Sequence, residues 1–133
     1  MLPQDRQLTG FYAPQIDQHT EALSLAIEEF LATVENNLPP REFVQKGKMI
    51  ILAAHKLIYI GDTISQCLTD KMASLAIRDC SDRLCSLLKE CVKATKLASD
   101  EYPEIRRMQS MVDSIISVSK SAHELKLLVR GCC

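Results

Sequence analysis

Apolar residues recur along this chain at alternating steps of three and four, in four separate runs. The first is Ile16, Thr20, Leu23, Ile27, Phe30 and Val34, and the second is Phe43, Gly47, Ile50, Ala54, Leu57, Gly61, Ile64 and Leu68. The third holds Ala73, Ile77, Cys80, Leu84, Leu87, Cys91, Ala94 and Ala98; the fourth holds Met108, Met111, Ile115, Val118, Ala122, Leu125 and Val129. Stepping of this kind sets side chains along one seam of an α-helix. Four such helices with short connections predict an all-α fold, an antiparallel up-down four-helix bundle occupying residues 1–133 as a single domain. The pattern places the helices at about 14–36, 40–67, 70–99 and 103–130, with residues 1–13 as a less regular helical extension.

Turn-forming residues fall where the runs break. Asn36-Asn37-Leu38-Pro39-Pro40 ends the first helix and starts the second, proline being tolerated in a first turn. Tyr102-Pro103-Glu104 does the same before the fourth helix and adds an acidic residue suited to a helix N-terminus. Thr69-Asp70 offers a cap for the third helix, and Gly131 offers a C-terminal stop. Gly10 and Pro14 argue against a regular start to the first helix, because an interior proline removes a hydrogen bond and kinks the rod.

The second helix carries more apolar surface than a bundle seam needs. From Met49 to Ile60 only His55 and Lys56 are polar. A surface helix ordinarily shows one apolar stripe and an opposite charged face. The run is shorter than the roughly 20 apolar residues that cross a bilayer, so it predicts burial and not membrane insertion. With the seam assigned to the core, Met49, Leu52, Lys56, Tyr59 and Thr63 form a second line, with His55 and Asp62 beside it. Ile51 and Ile58 are the residues a second neighbouring helix would absorb. Leu52 and Tyr59, hemmed by Lys56 and Asp62, have the make-up of an interface centre with a charged rim. On pattern alone the chain reads as a helical protein-interaction module.

Composition narrows the alternatives. The chain has 16 basic and 17 acidic residues and a pI near 6.3, whereas nucleic-acid binding calls for a concentrated basic face. The exposed side of the first helix is acidic (Asp17, Glu21, Glu28, Glu29, Glu35) and the second and fourth are basic to mixed, which predicts pairing between neighbours. No charged-then-apolar signal segment opens the sequence, and Leu2-Pro3-Gln4-Asp5 reads as part of something longer. Six cysteines without a Cys-x-x-Cys pair, and three scattered histidines, argue against a zinc site and for a reduced, intracellular protein. Cys80, Cys85 and Cys91 suit small-hydrophobe positions, while Cys132 and Cys133 sit where adventitious oxidation is expected. No phosphate-binding glycine loop or nucleophile elbow is present, so no cofactor or catalytic function is expected. The nearest candidate dyad, His55 with Asp62, is separated by about 10 Å along one helix face, too far to share a proton. His55 is expected at the edge of the core, bonded to a neighbouring helix. Tyr12 and Tyr102 are expected to pack at helix ends.

Particular residues carry a further signal. The run Pro39-Pro40-Arg41-Glu42-Phe43-Val44, with Ile51-Leu52-Ala53-Ala54-His55-Lys56-Leu57-Ile58-Tyr59-Ile60-Gly61-Asp62-Thr63 after it, resembles the C-terminal domain of the CAS (Crk-associated substrate) scaffold family. Phe11-Tyr12, Leu84-Cys85, Leu87-Leu88, Ala94-Thr95-Lys96, Tyr102-Pro103, Gln109 and Met111-Val112-Asp113 extend the likeness over all four helices. Gly10, Pro14 and the Cys132-Cys133 tail depart from it. The resemblance implies a focal-adhesion-targeting-like bundle from a non-catalytic docking protein of integrin and Src-linked signalling, cytoplasmic and held at focal adhesions and the cytoskeleton. It also implies a partner, the exchange-factor-like domain of NSP-family adaptors, met through Leu52, Tyr59 and Asp62, with His55, Lys56 and Met49 alongside. Two other modes compete. Grooves between helices suit short amphipathic helices such as the LD motifs of paxillin, with Lys46, Lys48 and Lys93 supplying charge. Alternatively, the surplus face forms a homodimer.

Overall fold

The computed structural model describes residues 2–132; Met1 and Cys133, and with Cys133 half of the cysteine tail, lie outside the described residues. It contains four helices in order: α1 (Pro3–Glu35), α2 (Pro40–Cys67), α3 (Lys71–Asp100) and α4 (Ile105–Gly131). Each packs against the next in sequence, and α4 returns to α1, giving the antiparallel four-helix bundle that the heptad runs predict. The seam positions form one contiguous core, with Ile16, Phe30, Phe43, Ile50, Leu57, Ile77, Leu84, Ile115 and Leu125 inaccessible to solvent. At one end of the bundle Phe43 sits between Phe30 (ring centroids 6.4 Å apart) and Tyr102 (6.2 Å).

The turns are built from their own residues. Asn37 adopts a left-handed φ of 53°, which asparagine tolerates better than most side chains. Its N–H bonds the Val34 carbonyl, and the Leu38 N–H bonds Thr33, so α1 ends in a Schellman motif. Asp70 caps α3 as expected, its carboxylate accepting the Ala73 N–H at 3.2 Å. The chain then leaves α3 through a cis Tyr102-Pro103 bond, and the Glu104 side chain accepts the Arg106 N–H at the start of α4.

Three expectations are corrected. First, α1 is continuous from Pro3 and runs through Pro14. A helical proline leaves the carbonyl four residues earlier without its donor. Here that residue is Gly10, and both Gly10 and Pro14 lie on the exposed side, where water can bond the freed carbonyl. Tertiary anchors fasten the turns before it. Asp5 is only 1% exposed, and its carboxylate accepts the Thr69 N–H (3.0 Å), the Thr69 hydroxyl (2.8 Å) and the Asp70 N–H (3.0 Å). The Thr9 hydroxyl lies 3.1 Å from the carbonyl of Cys132, the residue that follows α4. Second, α3 buries Leu88 in place of Leu87, which is half-buried; a step of four and a step of three from Leu84 are equally compatible with the seam. Third, Gly131 is the last residue of α4 and has no positive φ, so it is not a left-handed stop.

Charge pairing knits the outer faces. Asp17 of α1 meets both Lys126 and Arg130 of α4, Glu29 meets Lys46 of α2 at 4.0 Å, and Arg83 of α3 meets Glu124 of α4 at 3.1 Å. Such exposed pairs are worth little individually, so register rests on the core. Register is tightest at Gly61, where an added Cβ would stand 3.1 Å from Ser81 Oγ and 3.3 Å from both Ser81 Cβ and Leu125 Cδ2. At Gly10 an added Cβ would meet nothing within 4 Å.

These two glycines give opposite expectations for the same substitution. Gly10→Ala should stabilise the domain by about 0.5–1 kcal/mol, the ordinary helical gain over glycine. Gly61→Ala should destabilise it by about 1 kcal/mol net, because the fully buried Ser81 and Leu125 side chains must shift by a few tenths of an ångström in a packed core, and that strain outweighs the gain. Urea melts of the two variants beside wild type measure both. Acid should also probe the Asp5 anchor. The Thr69 N–H, aided by the Thr69 hydroxyl and the Asp70 N–H, holds the Asp5 carboxyl below its ordinary value of 3.8 against the opposing effect of burial. A carboxyl with a lowered folded-state pKa stabilises above its unfolded value, and that contribution disappears as pH falls through the folded one. Melting temperature should therefore drop on acidification below about pH 4, and Asp5→Asn should reduce that acid-side slope.

Candidate protein-interaction surface

Successive helical residues are turned by 100°, so Leu52 and Tyr59, seven apart, point almost the same way about 10 Å from one another. Neither is needed by the core. Leu52 is 53% exposed, Tyr59 is 74% exposed and Met49 is 48% exposed, although all three are large and apolar. Burying them against an outside surface is where α2 has apolar free energy left to gain. Ile51 and Ile58 lie on the α3 side and are half-buried against the core, the absorption expected of them.

On the other side of the stripe α1 completes a shallow groove of about 230 Å³. Its walls include Met49, Leu52 and Lys56 from α2 and His19, Ala22 and Leu25 from α1. The α1 contribution was not visible in the sequence, since a single off-seam Leu25 has no periodic partner to mark it. His19 is pushed below its ordinary imidazole value, first by burial and then by the Lys56 charge. At neutral pH the groove's cationic group is therefore Lys56 beside an uncharged imidazole.

The remaining site residues divide. Asp62 is half-buried on the α3 edge of the stripe, where its Oδ1 accepts the Ser81 hydroxyl at 2.9 Å. His55 is exposed, contrary to expectation, and makes no hydrogen bond to a neighbouring helix among the described residues. Its position between Leu52 and Asp62 points it away from both adjoining helices. Tyr12 is half-buried with its ring edge-on to Phe11.

A second groove, of about 280 Å³, separates α2 from α3. Val44, Ile51 and Val92 make it apolar, and Lys48 and Lys96 line it. Of the three lysines expected at such a groove, only Lys48 is there. Lys46 turns toward Glu29 of α1, and Lys93 pairs with Glu90 at 3.8 Å on the same helix. Lys96 was missed.

Burial pushes the Cys80 and Cys91 thiols up, keeping them neutral and unreactive. Cys67, Cys80, Cys85, Cys91 and Cys132 form no disulfide. Among the described residues no group of three or more histidine, cysteine, aspartate or glutamate side chains could hold a metal ion. No helix is long and apolar enough to cross a membrane.

Known proteins are similar to this chain in sequence. Residues 1–129 match the family described as the Crk-Associated Substrate C-terminal domain. Enhancer of filamentation 1 of Mus musculus is 39% identical over 92% of this chain, which covers 15% of that relative's length. Breast cancer anti-estrogen resistance protein 1 of Homo sapiens is 36% identical over 93% of the chain and 14% of its own length. Embryonal Fyn-associated substrate of Homo sapiens is 31% identical over 94% of the chain and 22% of its own length. The chain thus spans less than a quarter of the curated relatives it matches, at the region that the matching family describes. Matched to that family over residues 1–129, and 39% identical to such a relative over 92% of its own length, the chain belongs to the Crk-associated substrate family, as its C-terminal domain.

Proposed function

We propose that this domain is a non-catalytic docking module that binds the exchange-factor-like domain of NSP-family adaptors through the exposed face of α2. Membership of a scaffold family supports a docking role for this domain. The observation that carries the reading is the alignment of Met49, Leu52 and Tyr59, three exposed large apolar side chains on one face of a helix whose other sides are buried. A folded partner with a complementary apolar surface would cover them, and Lys56, His55 and Asp62 would form the charged rim. Leu25 and His19 of α1 extend the face on one side. Through such an adaptor the domain would help hold its parent scaffold at cytoplasmic adhesion sites.

The α2–α3 groove supports a second reading. Its apolar floor between Lys48 and Lys96 matches a short acidic amphipathic helix, the class to which the LD motifs of paxillin belong. A homodimer through the α2 stripe is the third, and sedimentation velocity at two concentrations separates it from the others.

Calorimetric titration of the domain with an NSP-family exchange-factor-like domain tests the first reading. Leu52→Glu should weaken binding at least about tenfold, since the leucine's burial is lost and an unpaired charge enters the interface. Circular dichroism should stay helical, because Leu52 is outside the core. Asp62→Arg should also weaken binding, through charge reversal at the rim. An unfolded Leu52→Glu variant, or undiminished binding, would sink the assignment of this face.

A further inference from the structure

Gly61 and Asp62 are neighbours in sequence and meet the same residue of α3. An added Cβ at Gly61 would stand 3.1 Å from Ser81 Oγ, so glycine at this position lets the Ser81 hydroxyl approach the α2 backbone without displacement. Ser81 is 0% exposed there. Its hydroxyl lies 2.9 Å from Asp62 Oδ1 and 3.2 Å from the Ile58 carbonyl. A serine hydroxyl has one hydrogen to give. The carboxylate is both nearer and charged, and charge-assisted bonds are about twice as strong as neutral ones, so the hydrogen belongs to Asp62. That bond occupies one carboxylate oxygen. The other, Oδ2, takes no hydrogen bond from the described residues, and the side chain is half-buried beside the exposed Leu52–Tyr59 stripe.

We infer that Ser81 is the positioning residue of the docking surface: from inside α3 it holds the Asp62 carboxylate in one orientation at the edge of the α2 stripe, leaving Oδ2 to receive an arginine or lysine of the docked partner. The inference rests on the docking reading above. It adds that the charge at this rim is set by a residue on another helix. An aspartate free to rotate at a surface must be ordered when a partner binds, at a cost in side-chain entropy. With Ser81 bonded to it, Asp62 is ordered beforehand. The alternative is that the bond braces α2 against α3 and has no bearing on docking.

The test uses Ser81→Ala and Asp62→Asn, singly and together, with three measurements. Circular dichroism melts report folding, NMR couplings about the Asp62 Cα–Cβ bond report its rotamer, and titration with an NSP-family exchange-factor-like domain reports docking. Ser81→Ala should remain folded while the Asp62 couplings change from those of one rotamer to an average. Affinity should fall about three- to tenfold. The same change made in Asp62→Asn should cost little further, since the carboxylate it positions is already gone. Unaltered Asp62 couplings in Ser81→Ala overturn the inference, and so does an equal loss of affinity in both backgrounds, which marks a brace alone. Binding abolished by Leu52→Glu but untouched by Ser81→Ala retains the docking face and removes Ser81 from it. A wild-type domain that fails to bind the adaptor overturns the docking reading and the partner cation with it.

Discussion

α2 comes within side-chain reach of all three other helices, and the distance at which it meets α3 and α4 is fixed at Gly61. The side chains of Ser81 and Leu125 come so near the Gly61 backbone there that an added Cβ would lie 3.1 Å from Ser81 Oγ and 3.3 Å from Leu125 Cδ2. That close approach adds to the core packing that holds the register of α2 along α3. The register in turn puts Ile50, Leu57 and Ile64 into the core and leaves Leu52 and Tyr59 outside it. A slip of one residue along a helix rotates every side chain by 100°. The exposed stripe and the buried seam are therefore two consequences of one register. Core burial supplies the stability, and the surface pairs around Asp17, Glu29 and Glu124 add local bracing.

Much of this was legible in the sequence because heptad spacing is a geometric statement. A 3–4 alternation can be buried on one side of a helix in only one way, and the seams of α1, α2 and α4 follow their runs almost residue for residue. The pattern fell short where two steps were equally good, as at Leu87 and Leu88. It also fell short where local propensity met a tertiary anchor. Gly10 and Pro14 are poor helix formers, and on propensity alone the helix begins after them. Asp5 reverses that outcome through bonds to residues more than sixty positions away, which no local reading can see.

The candidate surface was legible for the same reason, but only in part. Leu52 and Tyr59 stood out because a helix already supplied with a seam still had apolar residues at helical spacing. The α1 wall of the groove gave no such signal, because Ala22 and Leu25 gain their meaning from the helix beside them. Asp62 was readable as a charge at the rim, whereas the hydroxyl that holds it comes from a residue 19 positions later on another helix. His55 was misjudged because the flanking Ala53, Ala54 and Leu57 are buried while position 55 is turned outward between two exposed neighbours.

Exposed apolar residues are not rare on this bundle: Phe11, Met72, Ile105 and Leu127 are also open to solvent. Single residues of that kind occur on any soluble surface and imply nothing. What separates α2 is arrangement. Met49, Leu52 and Tyr59 share one helix face, that face adjoins a groove with α1, and one of its edges carries a carboxylate held by a buried hydroxyl. The bundle draws no core burial from the outer side of α2. Those positions can therefore change with the partner while the fold is kept by Gly61, Ser81 and the seam. A face whose chemistry is independent of the core, yet whose geometry is fixed by it, is what a docking domain requires.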